Sequence, residues 1–101
     1  MINQSIETIL TNAVERRASD IHLTAGSPPI IRVDGSLITM GEEKVLPQHL
    51  EGYLKEIMTE DMRERLEHER DLDFSFGVPR VSRFRVNAYY QRGTIAIAFR
   101  S

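Results

Sequence analysis

Apolar residues at Ile6, Ile9, Leu10, Ala13 and Val14 follow the i, i+3, i+4, i+7, i+8 spacing of a helix with one buried stripe. Asn3 or Ser5 can cap it, and the pattern predicts a helix running to about Arg17. The period then changes. Ile21 and Leu23 alternate with Asp20 and His22, the two-residue repeat of a half-buried strand. Gly26-Ser27-Pro28-Pro29 stops that strand, because proline has no N–H for a ladder and restricts the residue before it. Residues 30–33 and 36–40 flank Asp34-Gly35, which predicts a tight hairpin.

Helical spacing returns after Pro47, which suits a first helical turn, and Leu50, Tyr53, Leu54, Ile57 and Met58 complete the stripe. Thr59 can cap a third helix, from 60 to about 70, whose only apolar residues are Met62 and Leu66. So charged a helix lies at an edge with most of its surface in solvent. Leu72, Phe74 and Phe76 alternate as a further strand, ended by Gly77-Val78-Pro79.

The last hairpin carries the most information. Phe84, Val86, Ala88 and Tyr90 are apolar at even positions, and Ile95, Ile97 and Phe99 at odd ones. The two sets share a face only if Val86 pairs with Phe99 and Ala88 with Ile97, since a one-residue slip turns one set into water. The turn then falls at Arg92-Gly93 or over residues 91–94. In this register Arg83, Arg85, Asn87 and Tyr89 lie on the opposite face, with Arg85 directly across from Arg100. Like charges so placed repel. Their neighbours there are Ala96, Ala98 and Thr94, and no acid occurs from Phe74 to Ser101. Two opposed arginines on a floor of small residues form a candidate anion site, because guanidinium forks match phosphate oxygens. The alternative is that a carboxylate from elsewhere in the fold pairs with them.

Charge sharpens this picture. Residues 1–73 hold all 15 acids and a net charge of −7, whereas residues 74–101 hold five arginines and no acid. Such a split points to an anionic partner, or to an acidic neighbouring subunit, for the last third of the chain. At 101 residues the chain is expected to form one domain. It has no cysteine, so neither a disulfide nor a thiolate metal site can hold it together. The N-terminus lacks the pattern of a signal peptide, and no apolar run approaches membrane-spanning length. The expectation is a cytoplasmic, soluble domain.

Familiar chemistry is missing. The glycines form neither G-x-x-x-x-G-K-[ST] nor G-x-G-x-x-G, so this chain cannot cradle and hydrolyse a nucleotide alone. His22, His49 and His68 show no zinc-ligand spacing, and no metal site is expected. His22 is expected to make a structural hydrogen bond. Ser19-Asp20 has no adjacent base and reads as a strand entry rather than a nucleophile. "RFRVNAYY" mixes arginine with aromatics but lacks the glycines of an RNA-binding strand, and no nucleic-acid partner is expected.

The stretch "ASDIHLTAGSPPIIRVDGSL", followed in order by "DLDFSFGVP", "RFRVNAYYQRG" and "FR", resembles the type IV pilus retraction ATPases of twitching motility. These belong to the type II/IV secretion ATPase superfamily. The segment Ala25-Gly26-Ser27-Pro28-Pro29 is similar to the retraction type, and the charged helical middle is the least specific part. The resemblance implies an α+β, PAS-like N-terminal domain, an antiparallel sheet with helices packed on it, excised at 1–101 from a homo-hexameric motor. It further implies that the catalytic P-loop domain lies outside this chain, with ATP and Mg as cofactors of the parent and none in this domain. Partners implied are the catalytic domains of its own and the neighbouring subunit, and the pilus machinery at the inner membrane. Carried over to this sequence, the nucleotide phosphate-sensing positions are Arg85 and Arg100, then Arg83 and Arg92. The opening stretch is implied to be scaffold that shapes a subunit contact. A free-standing PAS-like small-molecule sensor or a structural oligomerisation domain are the other readings. The first predicts a buried cavity with polar groups, and the second predicts arginines consumed by salt bridges.

Overall fold

In the computed structural model, which describes residues 5–101, the chain forms three helices and one six-stranded sheet. Helix α1 spans Ile6–Glu15, and strands β1 (Asp20–Thr24), β2 (Ile30–Val33) and β3 (Ser36–Thr39) follow. Helices α2 (Pro47–Ile57) and α3 (Glu60–Glu69) come next, then strands β4 (Asp71–Val78), β5 (Ser82–Gln91) and β6 (Thr94–Arg100). The sheet order is β3-β2-β1-β6-β5-β4 and every neighbouring pair is antiparallel. This is the α+β arrangement expected. Among the described residues no helix is long and apolar enough to cross a membrane.

The first helix is capped by Ser5, whose hydroxyl accepts from the Thr8 N–H at 3.3 Å. The other expected cap, Asn3, lies outside the described residues. A second acceptor comes from far away in sequence. Both oxygens of Glu56, near the end of α2, accept from the Ile6 N–H at 3.1 and 3.2 Å. A carboxylate at this end also suits the helix dipole. The helix stops at Glu15 rather than near Arg17. Arg17 takes φ +62°, and the Ala18 N–H turns back to the Ala13 carbonyl at 3.0 Å.

Both tight turns follow from their dipeptides. Asp34-Gly35 and Arg92-Gly93 have positive φ at both residues, the primed geometry that matches strand twist. Of the two lengths the pattern left open for the last turn, the two-residue form is adopted, with Gln91 opposite Thr94. The expected register holds throughout, from Arg85 opposite Arg100 to Tyr90 opposite Ile95.

One face of the sheet carries the core. Ile6, Ile9, Leu10 and Ala13 of α1 and Leu50, Tyr53, Leu54 and Ile57 of α2 join Ile21, Leu23, Phe84, Val86, Ile97 and Phe99 in a single buried cluster. Phe84 and Phe99 meet edge to face, with centroids 6.0 Å apart. Leu66 alone is fully inserted from α3. Ions attach the rest of that helix: Arg63 donates to Glu51 of α2 at 2.8 Å and to Glu67 at 3.0 Å, while the Tyr90 hydroxyl donates to Glu67 at 2.6 Å. Arg70, at φ +65°, lays its guanidinium 3.6 Å from the centre of the Tyr90 ring. Because all three helices bury residues in this one cluster, the other face of the sheet is left open.

Candidate functional site

The open face is a grid that the register dictates. Reading across β4, β5, β6, β1 and β2, one row is Ser75, Arg85, Arg100, Asp20 and Arg32. The next is Asp73, Asn87, Ala98, His22 and Ile30. Asp20, His22, Asp73, Arg85, Asn87, Ala98 and Arg100 line a shallow depression of about 380 Å³.

Arg100 is not an unfilled cation. Its Nε donates to Asp20 Oδ1 at 3.2 Å, so the expectation that both opposed arginines lack a carboxylate is corrected. Asp20 sits 80 residues away in sequence, but β1 pairs with β6 and places it beside Arg100. The same carboxylate accepts from the Ser19 hydroxyl at 2.8 Å and faces Arg32 Nε at 3.6 Å. The Ser19 hydrogen bond, then Arg100 and Arg32, hold the Asp20 carboxyl below the usual carboxylate range, against a desolvation that raises it. Asp20 is only 16% exposed and Arg100 is 77% exposed. Only Nε of Arg100 is engaged, which leaves its terminal nitrogens without a hydrogen bond among the described residues. Asp20 therefore orients this guanidinium without using its fork.

Arg85 is exposed and has no hydrogen bond or ion pair among the described residues. Ser75 stands opposite it on β4, too short to neutralise it. Arg83 lies on the same face one two-residue step away, about 7 Å along the strand. It faces Gly77, and a Cβ there would lie 3.0 Å from Arg83 Nη1. The guanidinium thus occupies the space of the missing side chain. Arg92 is placed apart from the other three. It forms the β5–β6 turn, about 20 Å along the strand from Arg85. The structure thus brings Arg83, Arg85 and Arg100 to one end of the open face and leaves Arg92 at the other.

Two groups escaped the sequence reading. Asp71 and Asp73 come onto this face from β4, so it is less uniformly basic than the last third of the chain suggests. Asn87 donates to both, at 2.6 and 2.9 Å. The alternation of 71, 73, 75 and 77 with the apolar positions was the available signal, but it does not say which strand lies opposite. His22 was expected to make a structural hydrogen bond and makes none among the described residues. It lines the depression beside Ala98 instead.

Comparison with known proteins finds relatives of the sequence and of the fold. No family model matches the chain. It is 38% identical over 96 residues to the type IV pilus retraction ATPase PilT of Pseudomonas aeruginosa, covering 95% of this chain and 28% of that protein. A crystal structure of the pilus retraction motor PilT with bound ADP superposes with a TM-score of 0.89 at 42% identity, over 97% of this chain and 29% of that one. The Legionella pneumophila ATPase DotB gives a TM-score of 0.80 at 26% identity, over 95% and 28%. The chain spans less than a third of the length of each of these relatives. In sequence and in fold, the chain is similar to the N-terminal part of PilT-type pilus and secretion ATPases.

Proposed function

We propose that this chain is the N-terminal domain of a hexameric ATPase motor of the pilus-retraction kind, cytoplasmic and attached to the inner membrane through the pilus machinery. Its open sheet face would present guanidinium groups to phosphates held by a catalytic domain, and its outer surfaces would pack on the neighbouring subunit. The observation that carries the reading is Arg85, exposed and unpaired beside Arg100, over a floor of Ser75 and Ala98. A long cation without a local partner on a half-covered sheet face is a group waiting for an external anion. Arg100 supports it with a fork that Asp20 aims but does not use. Arg83 is the next donor along the strand, and the position of Arg92 at the far turn argues for a separate contact.

ATP with Mg²⁺ does not fit this domain by itself, because among the described residues the open face has no glycine-rich loop and no helix N-terminus beside the arginines. Bound nucleotide would supply phosphate charge, and this domain would supply only donors that bind ATP and ADP unequally. That difference in affinity is what can bias one domain arrangement over another. Among the described residues no charged, amide or histidine side chain is buried and Tyr53 carries the one hydroxyl on a buried side chain, which weighs against a stand-alone sensor with a polar cavity. The Asp20–Arg100 pair favours the structural reading for one arginine in part.

The test is turnover of the ATPase that carries this domain. Arg85→Ala should lower its kcat at least tenfold with the melting temperature of the domain unchanged. Turnover equal to that of the unsubstituted motor would refute phosphate sensing by Arg85. The 101-residue chain alone should release no phosphate from ATP in the presence of Mg²⁺.

A further inference from the structure

Asn87 stands between the acids and the arginines of the open face. Its amide Nδ2 donates to Asp71 Oδ1 at 2.6 Å and to Asp73 Oδ1 at 2.9 Å. An amide nitrogen carries two hydrogens, so both are committed to carboxylates. Asp73 pairs across the ladder with Asn87, and the adjacent rung on the same face pairs Ser75 with Arg85. Asp73 and Arg85 are therefore diagonal neighbours, a separation of about 7–8 Å that long side chains span. Both line the same depression. An ion pair between them is the obvious contact, and it is not made. Asp73 turns to Asn87 instead.

We propose that Asn87 is a positioning residue that withholds Asp73 from Arg85 and so keeps that guanidinium open to an external polyphosphate. The physical reason is competition for one acceptor. Two carboxylates two residues apart on one strand face repel each other, and each needs a donor. Asn87 satisfies both without adding charge. Without its amide, Arg85 is the one cation diagonal to Asp73 on this face that carries no partner among the described residues, and a charge-assisted pair forms there. Arg85 would then have to break that pair before binding phosphate. The choice of polyphosphate as ligand rests on the function proposed above; the withholding of Asp73 does not.

The experiment compares the 101-residue chain with its Asn87→Ala, Asp73→Asn, Asn87→Ala/Asp73→Asn and Arg85→Ala variants by ¹⁵N NMR. The Arg85 Nε–Hε resonance is followed first alone and then with added tripolyphosphate. Asn87→Ala should shift that resonance and weaken tripolyphosphate binding by about two- to fivefold, the range an exposed ion pair spans. Adding Asp73→Asn should return both to the unsubstituted values. A merely structural Asn87 would not be rescued by removing a charge from its neighbour. An Arg85 resonance unmoved by Asn87→Ala, or moved and not restored by the double substitution, overturns the inference. If the resonance behaves as expected while Arg85→Ala leaves tripolyphosphate binding intact, the positioning stands and the phosphate reading of the face falls.

Discussion

Asp20 and Arg100 face each other across the β1–β6 ladder, joined at 3.2 Å through Nε, although 80 residues separate them in the chain. The pair ties the start of the sheet to its last strand. It also sets apart two arginines that look equivalent from the hairpin alone. One is oriented by a carboxylate and the other has no partner among the described residues.

Removing the Asp20 charge should cost stability in a pH-dependent way. Its carboxyl is held below the ordinary range in the folded chain, by Ser19 first and then by Arg100 and Arg32. A depressed folded pKa means the stabilisation is fully present above the unfolded value and is lost as pH falls through the folded one. Asp20→Asn should therefore melt earlier than the unsubstituted chain at pH 7, by about 1–2 kcal/mol for a partly buried charged acceptor. The gap should narrow as pH falls below the unfolded carboxylate value of about 3.9. Thermal melts of both proteins from pH 7 to pH 2.5 check this. A gap that does not change with pH would show that the ion pairs contribute nothing.

The two opposed arginines should respond differently to truncation. Arg85→Ala should leave stability within about 0.5 kcal/mol of the parent, with any change towards greater stability, because it removes a like-charged neighbour of Arg100. Arg100→Ala should cost up to about 1 kcal/mol, because it takes a donor from Asp20 in an exposed pair. Urea denaturation of the two variants side by side distinguishes them. Equal losses would mean that Arg85 has a partner in solution.

The Tyr90 hydroxyl should set the ionisation of Glu67. That carboxyl is held below the usual range by the Tyr90 hydrogen bond first, then by Arg63 and Arg70. Tyr90→Phe removes the 2.6 Å donor and keeps the ring on which Arg70 stacks. The Glu67 titration followed by ¹³C NMR should move up towards the ordinary glutamate value. An unmoved titration would assign the depression to the arginines alone.

The β3 edge of the sheet should govern self-association. All four residues of β3 are exposed, with Leu37 at 55% and Ile38 at 44%. The strand is short and its outer backbone groups have no ladder partner, which permits weak edge pairing but buries too little for a stable dimer. Sedimentation at micromolar concentration and physiological salt should give a monomer. Ile38→Lys should abolish any association seen at millimolar concentration without lowering the melting temperature. A stable hexamer of this chain would overturn the expectation.

Much of this molecule is legible in the chain because its signals are local. The stripe of Ile6, Ile9, Leu10 and Ala13 needs only a 3.6-residue repeat to identify a buried helix face. Asp34-Gly35 and Arg92-Gly93 identify their turns by the φ their backbones must adopt. The alternation on either side of Arg92-Gly93 sets the register, because one slipped residue would expose Ile95, Ile97 and Phe99. Arg85 opposite Arg100 follows from that register without any knowledge of the fold.

What lies beside that pair was decided only by the tertiary structure. Periodicity states which residues share a face of a strand, but it is silent on which strands are neighbours. Asp20 could have stood at any position in the sheet. Insertion of β6 between β1 and β5 is what delivers its carboxylate to Arg100. Likewise the Asp71, Asp73, Ser75 and Gly77 face of β4 could have set its acids against the arginines. The register set by Val78 opposite Ser82 gives the acids to Asn87 and the small residues to Arg85 and Arg83. Long-range pairing of this kind depends on how the whole core closes over α1 and α2, a property of all the buried residues together and of no single stretch.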